Sequence, residues 1–340
     1  MNLKQLACIV FVALAASCVA APTVAYVGNV SVHSASTNAK IMVVDQADGS
    51  AVNVSEGLAS ARSPAWSPDG KRLAFEAIEK GLLDVFACNP DGSERANVTA
   101  SPDTWDGSPC FVGSDSIAYL SGPDKSHIWV THLPTGEKRR LTQTPLFFKP
   151  PVSSPDGRVL AAVGSDKLAG PGRILVIDVQ TGASRILTAS AALYSRPAFS
   201  PDSTALAFCF DGVPIEDATR GVALAPVNGG PAKLLARDGY PLAPLCFSPN
   251  GKQIAYTSSS CYHSTWVRVM NGDGSDNQKI TPSSAHIIGW PCFTADGKGL
   301  VYQGVYGARY TVRLIDLQTG ANTQITPDGQ TGVTPACSPR

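Results

Sequence analysis

The sequence of 340 residues has few charges and no excess of either sign: Lys and Arg together number 27, Asp and Glu also number 27, and charged residues make up 16% of the chain. Proteins that bind a nucleic-acid backbone need a basic excess, so this balance argues against a nucleic-acid partner. A hydrophobic content of 44% excludes a disordered chain. Glycine and proline are plentiful, with 31 and 26 residues, which is typical of a chain with many turns.

Long apolar runs are absent beyond the N-terminus. Lys4, the apolar stretch 6–16 and the small residues around Ala20 predict a secretory signal peptide over residues 1–21, and no later stretch is long enough to span a membrane. We therefore expect a periplasmic or extracellular protein. The segment Leu14-Ala15-Ala16-Ser17-Cys18 also resembles a bacterial lipobox, so a lipid anchor at Cys18 stays open beside a cleaved signal.

The motifs of common enzymes and metal sites are missing as well. The sequence has no Gly-x-Ser-x-Gly, no His-Glu-x-x-His, no Walker or dinucleotide glycine pattern and no Cys-x-x-Cys. We predict no catalytic residue, no cofactor and no metal. Seven cysteines follow the predicted signal peptide, an odd number that cannot be fully paired. We expect no disulfide, with Cys261 the best candidate if one forms.

A repeat of about 45 residues runs through the remaining chain. It is anchored on the turn Ser67-Pro68-Asp69-Gly70-Lys71, which recurs with small changes at 154–158, 200–203, 248–252 and 294–298, in degenerate form at 112–115, and begins once more at Ser338. Each copy carries four strand patterns: Pro-small-aromatic before the turn, large-Ala-aromatic after it, a β-branched run, and a short segment ending in Thr. This period and these patterns predict four-stranded antiparallel propeller blades.

The two ends of the chain complete one further blade. Residues 24–26, 41–44 and 52–55 match the second, third and fourth strands, and the missing first strand occurs at the C-terminus as Thr334-Pro335-Ala336-Cys337. The sequence therefore predicts an all-β fold over residues 22–340. It is a single seven-bladed β-propeller closed by three N-terminal strands and one C-terminal strand. Closure removes exposed sheet edges.

The segment Pro64-Ala65-Trp66-Ser67-Pro68-Asp69-Gly70-Lys71-Arg72-Leu73-Ala74-Phe75 resembles the TolB-type, WD40-like propeller repeat, which is related to repeats of dipeptidyl-peptidase IV-type and prolyl-oligopeptidase-type proteases. The resemblance covers roughly residues 22–340. It implies a scaffold, a receptor or, in a few cases, an enzyme. By analogy with other propellers it also implies a binding surface at the channel mouth and on the rim that carries the crossovers between blades.

The candidate binding residues lie in crossovers that enter the innermost strands. They are Arg62, Trp105, Asp106, Lys149, Tyr194, Arg196, Tyr240, His286 and Trp290. Mouths rich in aromatic residues and Arg suit protein or sugar ligands. We interpret the chain as an exported, noncatalytic module that binds an envelope protein or a carbohydrate.

An enzyme is the alternative interpretation. The chain is also similar to the TolB-like oligogalacturonate lyases, which implies a metal-dependent polysaccharide lyase with a metal held by loop histidines. In a closed ring His33, His263 and His286 could converge, and three imidazoles suit a transition metal. Isolated loop histidines are more often ordinary polar residues, so we do not predict the metal site.

Overall fold

The repeat folds into a ring of seven antiparallel sheets. The computed structural model describes residues 23–29, 38–122, 126–168, 170–188, 193–194, 196–237, 240–261, 264–281, 286–306 and 309–339. Every regular element in these residues is a β-strand. A helix of the length and hydrophobicity needed to cross a membrane does not occur among them. The predicted signal peptide and Cys18 lie outside the described residues.

The described residues form thirty strands of the ring. In chain order the first ten are β1 (Thr23–Gly28), β2 (Lys40–Asp45), β3 (Ala51–Asn53), β4 (Ala59–Trp66), β5 (Leu73–Glu79), β6 (Leu82–Cys88), β7 (Ala96–Asn97), β8 (Gly107–Val112), β9 (Ser116–Ser121) and β10 (His127–His132). The next ten are β11 (Glu137–Arg140), β12 (Phe147–Phe148), β13 (Val152–Ser153), β14 (Val159–Ser165), β15 (Gly172–Asp178), β16 (Ser184–Ile186), β17 (Leu193–Tyr194), β18 (Ala198–Phe199), β19 (Ala205–Ile215) and β20 (Ala218–Pro226). The last ten are β21 (Lys233–Ala236), β22 (Tyr240–Phe247), β23 (Gln253–Cys261), β24 (Ser264–Asn271), β25 (Gln278–Lys279), β26 (His286–Phe293), β27 (Gly299–Tyr306), β28 (Arg309–Asp316), β29 (Asn322–Gln324) and β30 (Gly332–Cys337).

The strands pair in the predicted order. Blade 1 has the order β3-β2-β1-β30, and blades 2 and 3 contain β4 to β7 and β8 to β11. Blades 4 and 5 contain β12 to β16 and β17 to β21, and in each the first strand is broken into two pieces. Blades 6 and 7 contain β22 to β25 and β26 to β29. The prediction of seven four-stranded blades is confirmed.

The C-terminal strand β30 closes the ring and is called the closing strand below. It pairs antiparallel with β1, with Val24 opposite Cys337 and Val27 opposite Val333. The amide of Ser338 donates to the carbonyl of Thr23 (2.9 Å) at one end of this ladder. The predicted closure by three N-terminal strands and one C-terminal strand is therefore confirmed.

Side chains of the repeat explain its turn. In the first copy Ser67 Oγ donates to Asp69 Oδ1 (2.7 Å) and accepts from the amide of Arg72 (2.9 Å), which holds the two strands in register. Gly70 has a φ of +66°, a conformation that favours glycine. The hydroxyl-to-side-chain bond recurs at Ser154, Ser200, Ser248 and Thr294.

The core lies between blades. Seven buried hydrophobic clusters occur in the described residues, one at each of the seven interfaces between neighbouring blades. In each blade the strand next to the axis has a small residue that pairs with the second strand of the same blade. In most blades the next residue of that first strand is aromatic. Trp66, for example, donates from Nε1 to the carbonyl of Ala336 in the preceding blade (3.0 Å). This lateral packing positions the innermost strands around the ring axis.

Candidate binding site

The innermost strands of all seven blades enclose a cavity of about 620 Å³ at the ring axis, called the axial cavity below. This size is within the range of ligand sites. Arg196 is the one charged residue of its described wall, and Trp290 is its largest aromatic residue. One proline from each blade lines the cavity: Pro64, Pro109, Pro150, Pro197, Pro244, Pro291 and Pro335.

The backbone beside these prolines is strained in four blades. Ser63, Ser108, Trp290 and Thr334 have positive φ values of 57°, 56°, 56° and 46°, and each directly precedes a cavity proline. Each lies where the pairing of its strand with the next strand shifts register. Such a conformation costs about 1–3 kcal/mol at a residue other than glycine and persists only when surrounding contacts impose it. The wall of the cavity is therefore a series of β-bulges.

Buried side chains of neighbouring blades support two of these bulges. Glu76 Oε2 accepts from the amide of Ser108 (2.5 Å), and Gln303 Oε1 accepts from the amide of Thr334 (3.0 Å). In both cases a side chain from the second strand of one blade satisfies the bulge amide in the first strand of the next. An unpaired amide in this interface would be costly, so the two side chains stabilise the cavity wall.

Glu76 also binds one of the predicted site residues. Arg62 Nε donates to Glu76 Oε1 (2.6 Å), and the Arg62 side chain is 52% exposed whereas that of Glu76 is 4% exposed. Glu76 was not among the residues predicted from the sequence. The sequence did contain one indication of its role. Glu76 follows Leu73-Ala74-Phe75 in the second strand of its blade, at a position where other blades have the apolar residues Val27 and Leu120.

Two further cations lie beside the cavity in blades 4 and 5. Lys149 directly precedes Pro150, and its amide donates to the carbonyl of Val163 (2.9 Å). Arg196 directly precedes Pro197, and its Nη2 donates to the carbonyl of Pro151 (3.2 Å). Burial lowers the pKa of Arg196, because a charge is less stable in a poorly solvated site, and partial desolvation lowers the pKa of Lys149 although that residue is exposed.

Trp105 and Asp106 are neighbours in the crossover before β8 but have opposite environments. Trp105 is 58% exposed, so it presents a large apolar surface to solvent on the crossover rim. Asp106 is 1% exposed, its amide donates to the carbonyl of Leu83 (2.8 Å), and its Oδ2 accepts from Ser101 Oγ (2.5 Å). Burial raises the pKa of Asp106. Its side chain is therefore part of the interface between blades 2 and 3 and adds no surface to the rim.

The remaining predicted residues are placed less completely. Trp290 lies in the cavity wall. Tyr194, Tyr240 and His286 lie in β17, β22 and β26, but their side chains are outside the described part of the structure.

The loop histidines considered as metal ligands lie mostly outside the described residues. His33 and His263 lie outside the described residues altogether, and only the backbone of His286 is described. Within the described part of the chain, no group of three or more His, Cys, Asp or Glu side chains could hold a metal ion.

Comparisons with known proteins address the fold. No protein-family model matches the chain. Among solved structures it is similar to TolB from Acinetobacter baumannii, with 19% identity and a TM-score of 0.63 over 94% of this chain and 67% of that one. The fold is that of a TolB-like β-propeller.

Other solved structures share this fold. One is an oligogalacturonate lyase in complex with manganese, with 14% identity and a TM-score of 0.62 over 91% of this chain and 87% of that one. Another is a chain of a nidogen–laminin complex, with 17% identity and a TM-score of 0.51 over 77% of this chain and 94% of that one. At these identities the likeness establishes the fold alone, because the same propeller supports binding proteins and enzymes.

Proposed function

We propose that this protein is an exported, noncatalytic binding module that takes an acidic segment of a partner protein at the crossover mouth of the axial cavity. The observation that carries the proposal is the placement of three cations, Arg62, Lys149 and Arg196, where crossovers enter the innermost strands, in a chain with no net charge. The prediction of export rests on the N-terminal sequence pattern.

Charge favours an anionic ligand. Desolvation disfavours the charged forms of Lys149 and Arg196, and a ligand carboxylate beside them would offset that cost. The attraction is stronger in a partly enclosed cavity than on an open surface, because the effective dielectric constant is lower.

The apolar wall favours an extended protein segment. A ring of prolines with Trp290 offers flat, rigid contact surfaces, and the exposed Trp105 extends this character onto the rim. Aromatic and Arg side chains are the residues that most often dominate binding energies at protein interfaces. One of the similar structures comes from a protein–protein complex, which is consistent with this use of the fold.

The test measures binding of a fluorescent oligo-glutamate peptide and recovery of proteins from an envelope extract. Arg62→Ala and Lys149→Ala should each weaken peptide binding about tenfold, which corresponds to about 1.4 kcal/mol, and should reduce partner recovery. Matched controls remove cations on the opposite rim, Lys71→Ala and Arg158→Ala, whose side chains are 71% and 85% exposed. Equal binding by the mouth variants and the controls would refute the proposal.

A polysaccharide lyase is the second candidate. The lyase structure is as similar to this chain as TolB is, with TM-scores of 0.62 and 0.63, and the chain covers 87% of the lyase. The same cations could bind the carboxylate of a uronate. Incubation with oligogalacturonate separates the two functions: an unsaturated product absorbing in the ultraviolet, lost on chelation, identifies the lyase, and its absence together with peptide binding identifies the binding module.

A further inference from the structure

The lateral contact between innermost strands follows one pattern in most of the ring. Each first strand carries a small residue opposite the second strand of its own blade, and the residue after it packs toward the preceding blade. Phe293 shares a buried cluster with Cys246 of the preceding blade, and Phe247 shares one with Ala198. That following residue is aromatic in five blades: Trp66, Phe111, Phe199, Phe247 and Phe293.

The closing strand breaks this pattern. Blade 1 has Cys337 where those five blades have an aromatic ring, and the small residue that it meets in blade 7 is Cys292. Replacement of an aromatic ring by a thiol gives up much of the apolar area that the other interfaces bury. The interface on which ring closure depends thus has a poor packing pair. Blade 4 also lacks the aromatic residue and has Ser153 at this position. The small residue next to it in blade 3 is Cys110, so this interface pairs a thiol with a hydroxyl and not with a second thiol.

The two thiols are in direct contact. Cys292 Sγ lies 2.6 Å from Cys337 Sγ, and each sulfur also faces the other strand's backbone, with Cys337 Sγ 3.4 Å from the carbonyl oxygen of Cys292. A disulfide bond is about 2.05 Å long, so the sulfurs need to approach by only about half an ångström. Both residues line the axial cavity, through which a small oxidant can reach them.

We propose that Cys292 and Cys337 form a disulfide that fastens the closing strand to blade 7. One thiolate attacks a sulfur of a small disulfide such as oxidised glutathione, forms a mixed disulfide and releases one thiol. The second thiolate then attacks the protein sulfur of that mixed disulfide and releases the second thiol. Two cysteine thiols lose two protons and two electrons in total, and the oxidant is reduced to two thiols. In a cell, a dithiol oxidase of an oxidising compartment would serve as oxidant.

The position of this bond gives it a function. It joins residues 45 apart in sequence and ties β30 of blade 1 to β26 of blade 7. Because β30 pairs with β1 to complete blade 1, detachment of β30 would open the ring. Burial raises the pKa of Cys337 well above its usual value, so we expect oxidation of the folded, reduced protein to be slow at neutral pH.

The experiment maps thiols in the full chain. Protein reduced and then incubated with oxidised glutathione is alkylated in denaturant, digested without reductant and analysed by mass spectrometry. We expect a linked peptide pair containing Cys292 and Cys337, with Cys246 alkylated. The oxidised protein should melt roughly 5 °C or more above the reduced protein.

Variants separate the bond from general oxidation. Cys292→Ser and Cys337→Ser should each abolish the difference in melting temperature between oxidised and reduced protein. Cys246→Ser, a matched change at another cysteine of the innermost strands, should retain it. Full alkylation of both cysteines after oxidation, a link to a different cysteine, or equal melting of oxidised and reduced wild type would overturn the proposal.

Discussion

Replacement of Glu76 tests whether the buried carboxylate supports the cavity wall or is present for its charge. Glu76 accepts from the amide of Ser108 at a strained bulge and from Arg62 Nε. Glu76→Ala removes both acceptors. The buried amide left unpaired costs about 1–3 kcal/mol, and loss of the ion pair adds only about 0.5 kcal/mol because the Arg62 side chain is 52% exposed. We therefore expect Glu76→Ala to lower the free energy of unfolding by about 2–3 kcal/mol.

Glu76→Gln should cost only about 1 kcal/mol, because an amide oxygen can still accept from Ser108. Gln303 accepts from the bulge amide of Thr334 with a neutral side chain, so Gln303→Ala is the matched control. It should lower the free energy of unfolding as Glu76→Ala does, but without the contribution of the lost ion pair. Urea and thermal unfolding of the three variants measure these differences. Equal losses for Glu76→Gln and Glu76→Ala would show that the charge, and not the acceptor, is what the interface requires.

Two further predictions concern ring closure and pH. Deletion of residues 331–340 removes the closing strand, and with it four or five ladder bonds at about 1 kcal/mol each and the burial of Val333. We therefore expect aggregation, measured by size-exclusion chromatography, or a much lower melting temperature, measured by calorimetry. An unchanged melting temperature would contradict the closure. Burial raises the pKa of Asp106, so the folded protein holds the proton of this carboxyl group more tightly than the unfolded chain does. The folded protein therefore loses stability as pH rises from about 3.9, the pKa in the unfolded chain, through the raised pKa of the folded state. Asp106→Asn should therefore gain stability relative to wild type between about pH 4 and pH 7, and a difference that does not vary with pH would refute this.

The sequence alone predicted the blade count and the closure because the repeat contains its own register. Most copies of the turn around Ser67 carry a hydroxyl, an Asp or Asn and a glycine, and the structure shows that these groups hold the hairpin together. Since the same turn recurs at a constant period, the number of turns gives the number of blades. The missing first strand of blade 1 was found by the same comparison at residues 334–337, where the structure has β30.

The candidate site could be predicted only in part, because the repeat does not show which side chains of neighbouring blades meet. Trp105 and Asp106 are adjacent in sequence, yet one is exposed and the other is buried against blade 2. Glu76 was missed because its partner, the amide of Ser108, belongs to the next blade and to a bulge that no sequence pattern indicates. The contact between Cys292 and Cys337 has the same origin, since it requires knowing which residue of one first strand faces which residue of the next.

The three proposed cations and the thiol pair are carried by different strands, and this arrangement allows the two proposals to be tested separately. The cations Arg62, Lys149 and Arg196 belong to blades 2, 4 and 5, whereas the paired thiols belong to blades 7 and 1, where the ring closes. The bond would join β26 to β30 and involve none of the three cations, although β4, which carries Arg62, contacts the closing strand through the Trp66 bond to Ala336. Removal of a cation leaves the thiol pair intact. Oxidation should raise the melting temperature without changing the affinity for an acidic peptide. A change in that affinity on oxidation would mean that the closing strand and the charged mouth move together, and that ring closure controls access to the cavity.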